Sequence, residues 1–161
     1  MERRWVFDAS PLIALGKIGL LDTLKIMAAR RVIPEAVAAE VDAGRVQDPA
    51  KRWLGGTPEV EIVPVTVRPS VLPWGLGAGE SAAISFAAEH PGFRVVLDER
   101  AARACAKALG VHPLGTLGIL TLAKRQGVVA EVRPLIDALL AAEYRLAPAL
   151  IDLVLRDAGE S

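Results

Sequence analysis
The chain has 161 residues, 52% of them hydrophobic and 4% aromatic, which suits one globular domain with an aliphatic core and excludes a disordered chain. Its 19 basic residues balance 19 acidic ones, so nothing pulls the whole molecule toward polyanions and nucleic-acid contact requires a local basic patch. Cys105 is the only cysteine, which rules out an internal disulfide and fits a reducing, cytoplasmic setting.

Residues 4–8, Arg-Trp-Val-Phe-Asp, form a short apolar run closing on a carboxylate. The run is too short for a signal peptide, and no run in the chain approaches membrane-spanning length. It reads as a buried strand with an acid at its C-terminal tip. Ser10 and Pro11 then suit a helix N-cap and first turn, and Leu12, Ile13, Leu15 and Ile18 keep helical spacing. A second helix is expected over 20–29, a strand over 31–33, and a helix over 35–43 with Val37 and Val41 on its apolar face. Glu40 borders that face.

A short helix is expected after Asp48-Pro49. Residues 60–65 alternate as a strand, placed at a sheet edge by Pro64. Residues 66–79 carry Pro69, Pro73, Gly75, Gly77 and Gly79 and read as a flexible loop. A helix over 81–89 follows, opened by Glu80. The strand 94–98 ends on Asp98, then come a helix over 99–109, a short strand over 111–114 and a helix over 116–126. Helices near 131–143 and 147–157 complete the chain. Strands alternating with helices predict a parallel sheet covered on both faces.

Four acids stand out. Asp8 and Asp98 end strands, where open parallel sheets bind ligands. Each also suits a helix cap, a reading weakened for Asp8 because Ser10 already offers one. Glu80 at a helix N-terminus is favoured by the helix dipole whatever its role. Glu40, on spacing alone, is an ordinary surface charge. Asp22, Glu35, Asp42, Glu89 and Glu99 read as solvated helix charges. Carboxylates gathered at one sheet edge repel each other unless a cation holds them, and hard oxygen donors suit Mg²⁺ or Mn²⁺.

Five segments taken in order resemble a known family. They are Asp8-Ala9-Ser10-Pro11-Leu12-Ile13; Ile33-Pro34-Glu35-Ala36-Val37 with Glu40; Gly77-Ala78-Gly79-Glu80-Ser81; Val96-Leu97-Asp98-Glu99-Arg100; and Gly115-Thr116-Leu117-Gly118. Together they look like a PIN-domain protein, and the likeness covers nearly the whole chain. The ending Leu155-Arg156-Asp157-Ala158-Gly159-Glu160 is similar to a subgroup described as predicted nucleic-acid-binding proteins, itself similar to the toxins of VapBC-type toxin–antitoxin pairs.

The resemblance implies a single PIN-like domain over residues 1–161. Its fold is three-layer and Rossmann-like, with a short parallel sheet, helices on both faces, and the helices near 131–157 packed on it. It implies a Mg²⁺- or Mn²⁺-dependent ribonuclease that hydrolyses phosphodiesters with metal-activated water. Asp8, Glu40, Glu80 and Asp98 are then the catalytic and metal-binding acids. The third acid is often Asp in an Ala-Asp-Ala-like setting, whereas here it is Glu80. A further acid sometimes follows the last strand, where this chain has Thr116. One tightly held ion is therefore expected rather than two.

Ser10 and Thr116 read equally as phosphate donors or as helix caps. Arg103 either grips a phosphate or pairs with a nearby acid, and pairing is slightly favoured. RNA is the implied substrate, with an antitoxin as a possible partner and a homodimer expected. The leucines of residues 135–155 serve as an oligomer surface or as plain core. The rival reading is a PIN-fold RNA-binding or regulatory protein with little turnover. His90 and His112 lack zinc-ligand spacing, and the same scarcity disfavours a Ser-His-Asp triad.

Overall fold
A computed structural model describes residues 2–56 and 58–160. Five strands, β1 (Arg4–Phe7), β2 (Arg30–Pro34), β3 (Glu61–Val63), β4 (Phe93–Val96) and β5 (Pro113–Leu114), form one sheet in the order β3-β2-β1-β4-β5. All pairings are parallel. The first strand thus lies at the centre. The chain winds outward to one edge through β2 and β3, then returns to β4 on the other side of β1. Strand order reverses between β1 and β4, and the crevice at their carboxyl ends is where such sheets take ligands.

The helices are α1 (Ala9–Lys17), α2 (Leu24–Met27), α3 (Glu35–Asp42), α4 (Pro49–Gly55), α5 (Ala78–Glu89), α6 (Arg100–Ala108), α7 (Thr116–Arg125), α8 (Arg133–Ala141) and α9 (Pro148–Asp157). Side chains alternate across the sheet, as strand geometry requires. Trp5, Phe7, Ile33 and Val96 face one layer, built on α1, α3, α7, α8 and α9. Val6, Val32 and Val95 face the other, built on α5 and α6. Trp5, Phe7, Leu12, Leu15, Ile84, Ile119 and Leu120 are all fully buried, each worth about 1.5–3 kcal/mol for the side chain removed from water. The layered fold expected from the sequence is therefore present.

Some expected elements differ. The helix over 20–29 is a 3-10 turn, Leu21–Thr23, followed by the single turn α2. The strand over 111–114 reduces to Pro113–Leu114. The expected loop contains a second 3-10 turn, Leu72–Trp74, and buried Val71. Pro64 stops β3 at Val63, and β3 is an edge strand as proline requires.

Helices also start earlier than their capping residues suggested. α1 begins at Ala9, so Asp8 occupies the N-cap position and Ser10 lies inside the first turn. α7 begins at Thr116 with Gly115 before it, so Thr116 is not a cap either. α6 is capped by Glu99, whose carboxylate accepts from the Ala102 amide at 3.0 Å. Glu99 is therefore not a free solvated charge, and Asp98 is relieved of the capping role.

Candidate metal centre
Asp8 and Asp98 stand at the tips of adjacent strands. The Asp8 amide donates to the Val96 carbonyl at 2.9 Å, extending the β1–β4 ladder by one step. Asp8 is buried, 4% exposed. Its carboxyl is pushed up from 3.8 to about 7, first by burial and then by the charges of Glu80, Glu40 and Asp98, with the Ala9 amide opposing. All four acids named from the sequence therefore meet in one electrostatic neighbourhood, with Asp8 at its buried end.

The other three are anchored. Glu40, on the exposed side of α3, accepts the Gly79 amide on Oε1 at 2.9 Å. Glu80 reaches back to the Gly77 amide at 3.3 Å. Two carboxylates thus satisfy amides at the start of α5, which would otherwise lack partners. Glu80 is raised by burial first, against the Gly77 amide, and then by Glu99 and Glu40. Gly79 has a packing reason for its identity. A Cβ there would lie 2.5 Å from Glu40 Oε1 and 3.2 Å from Val37 Cγ2, so the bare α-carbon lets α3 and Glu40 approach α5.

Asp98 is the most fully hydrogen-bonded of the four acids. Thr116 donates its amide to Oδ1 at 2.7 Å and its hydroxyl to Oδ2 at 2.6 Å. The Tyr144 hydroxyl also donates to Oδ2. Tyr144 is the only tyrosine in the chain, and sequence reasoning passed over it. Burial, followed by the charge of Asp98, keeps its phenol protonated well above the ordinary range, and its oxygen also engages Thr116 and Ser10. Thr116, fully buried, thus acts through Asp98, and Ser10 joins the same network through Tyr144.

Tyr144 is delivered by an unusual helix end. Glu143 follows the last turn of α8 with φ 63°, the only non-glycine residue with positive φ among the described residues. Its amide bonds the Leu140 carbonyl at 3.0 Å, and the Tyr144 amide bonds the Leu139 carbonyl at 2.9 Å. This is a Schellman closure, in which the left-handed position is usually glycine.

Arg103 donates to the Leu97 carbonyl at 3.2 Å. It forms no ion pair among the described residues, where the ion pairs are Arg30–Glu61 and Lys124–Glu160. The ion pair slightly favoured from the sequence is thus absent among the described residues, although Arg103 Nη1 and Asp98 Oδ1 both border the space a Cβ on Gly115 would fill; each takes a backbone partner instead. His90 stacks on Phe86 with centroids 3.9 Å apart, which leaves it a packing role.

Four carboxylates, one of them made costly as an anion first by burial and then by the other three, fit a divalent cation in chemical type. In their present rotamers, no three His, Cys, Asp or Glu side chains among the described residues stand close enough to share an ion. Glu40, Glu80 and Asp98 are held by hydrogen bonds that an ion would have to loosen or share.

The fold and these acids define a parallel α/β domain with a carboxylate-lined crevice at its topological switch point. A family model described as DUF3368, a PIN domain, matches residues 4–160, and the chain belongs to that family. PIN domains are generally nucleases, and they generally use divalent metal ions. No curated protein matches the chain. No described helix is long and apolar enough to cross a membrane.

Proposed function
We propose that the chain is a single PIN-like domain acting as a Mg²⁺- or Mn²⁺-dependent endoribonuclease. Asp8, Glu40, Glu80 and Asp98 are its metal-holding acids. The observation that carries this reading is the match of the PIN-domain family model over residues 4–160 together with buried Asp8 at the tip of β1 and Asp98 beside it after β4, at the crevice where strand order reverses. A bound ion supplies Lewis-acid activation of water and offsets charge on the phosphoryl oxygens. Asp8 and Asp98 fix that ion's place from two rigid strand ends. Thr116 and Tyr144 orient Asp98, Gly79 orients Glu40, and Arg103 with Ser10 faces the phosphate backbone of the RNA. The likeness to VapC-type toxins favours a cytoplasmic toxin paired with an antitoxin, working as a homodimer.

A second reading is a PIN-fold RNA-binding or regulatory protein with weak turnover. The hydrogen bonds that occupy Asp98 and keep the acids apart favour it. Mn²⁺ titration calorimetry on the parent, Asp8→Asn and Asp98→Asn separates the two. Binding by the parent, lost in both folded variants and accompanied by Mg²⁺-dependent cleavage of single-stranded RNA, supports the nuclease. A parent that binds no Mn²⁺ even with RNA present, and leaves that RNA intact, refutes it.

A further inference from the structure
Beside the acids, between the β5–α7 turn and the α8–α9 connection, lies a cavity of about 530 Å³, a size that encloses small ligands. Its lining joins three arginines, Arg94, Arg103 and Arg145, to the leucines Leu117, Leu146 and Leu150. Asp98 and Tyr144 also border the cavity, so it adjoins the acid crevice directly.

The arginines are under-used. None forms an ion pair among the described residues. Arg94 donates to the Pro113 carbonyl at 2.9 Å, while its Nε is buried without a hydrogen-bond partner. Burial first, and then the charge of Arg103, holds the Arg94 guanidinium below its ordinary range. Half-burying two unpaired cations near each other is costly unless an anion completes the site. The leucines of the same lining suit a flat uncharged group carried on that anion.

We propose that this cavity is a nucleotide subsite. It takes one nucleotide of single-stranded RNA next to the phosphodiester held at the acids, with the phosphate on Arg94 and Arg103 and the base against Leu117, Leu146 and Leu150. The polymer's identity rests on the nuclease reading; the binding does not. A phosphate bridges both guanidiniums through its charged oxygens, and the cavity borders Asp98, so a nucleotide held there is continuous with the strand whose phosphodiester lies at the acids.

The test is titration of the metal-free chain, in chelator, with adenosine 5′-monophosphate, followed by amide chemical shifts and calorimetry. The parent binds saturably, with shifts at the cavity. Arg103→Gln weakens binding by about tenfold or more, the loss expected when a charged hydrogen bond goes. Arg145→Gln, which removes the third cation lining the cavity from an exposed position, leaves folding undisturbed and weakens binding by a smaller factor through lost attraction for the phosphate. Adenosine alone and inorganic phosphate alone bind more weakly than the nucleotide.

Absent binding by the parent, equal binding by both variants, or inorganic phosphate as tight as the nucleotide overturns the subsite. So does an acidic, leucine-bearing peptide that displaces the nucleotide and binds more tightly, since that assigns the cavity to a protein partner. Nucleotide binding by a chain that cleaves no RNA would count against the nuclease alone. Cleavage by a chain that binds no nucleotide would count against the subsite alone.

Discussion
Asp8 and Asp98 look alike in the sequence and sit side by side on β1 and β4, yet their surroundings are opposite. Asp8 is buried among carboxylates and destabilised as an anion. Asp98 receives the Thr116 amide, the Thr116 hydroxyl and the Tyr144 hydroxyl. The same residue type at the same kind of strand tip therefore meets either burial beside like charge or a set of hydrogen-bond donors. A hydrogen bond to the charged form favours it, whereas burial and like charge disfavour it.

Substitution at both tips tests the contrast most severely. Asp8→Asn and Asp98→Asn are each expected to lower metal-dependent RNA cleavage by about a thousandfold, the several kcal/mol that a misplaced Lewis acid forfeits. Gel assays with a labelled oligoribonucleotide measure this, and a variant retaining most of its rate would remove that acid from the site.

Stability should separate the two tips. The folded Asp8 carboxyl titrates near 7, above its ordinary 3.8. Between those values the native chain keeps a proton that the unfolded chain releases. Stability therefore falls as pH rises from about 4 to about 7 and stays low above, a loss of a few kcal/mol at about 1.4 kcal/mol per unit. Urea unfolding in chelator at pH 5 and pH 8 should show the drop in the parent and in Asp98→Asn. It should be largely absent in Asp8→Asn. Added Mn²⁺ should restore much of the loss at pH 8.

Gly79→Ala carries the contrast to Glu40. The new Cβ meets Glu40 Oε1 at 2.5 Å and Val37 Cγ2 at 3.2 Å, so the carboxylate swings away and the Gly79 amide loses its acceptor, at a stability cost of about 1–3 kcal/mol. Loss of this anchor should reduce metal affinity about tenfold, as orienting hydrogen bonds commonly do. Tyr144→Phe removes one donor from Asp98 and leaves Thr116 in place. It should cost about 1 kcal/mol of stability and weaken Mn²⁺ binding a few-fold by loosening the orientation of Asp98; unchanged or tighter binding would mean that Tyr144 competes with the ion rather than orienting the acid. The smallest effect belongs to Glu143→Gly. Relief of the left-handed strain should stabilise the chain by less than about 1 kcal/mol, offset in part by the freedom glycine adds to the unfolded chain, and thermal unfolding would register it.

The sheet and its two acid tips were legible because they are local patterns: a short β-rich run, a carboxylate, then helical spacing. Pro64 marked an edge strand by the same local logic. Glu40 was not legible from spacing, and entered only through the family resemblance, because its partner is an amide 39 residues away. Tyr144 was missed for the same reason, since its contact with Asp98 spans 46 residues. Its delivery also breaks a rule that sequence reading relies on, with Glu143 where the turn prefers glycine. Ser10 and Thr116 were placed as alternative helix caps because that preference is strong, but α1 and α7 start one or two residues earlier and leave both side chains to the Tyr144 and Asp98 network.

The central position of β1 has a consequence for synthesis. Asp8 is made before its sheet neighbour β4 and before Thr116 and Tyr144, the donors that hold Asp98. Pairing between segments so far apart must wait for the intervening chain. A translation product that stops before α8 has Asp8 but neither Tyr144 nor the far wall of the arginine cavity. The crevice therefore cannot be complete until residues as far along the chain as Tyr144 have been made.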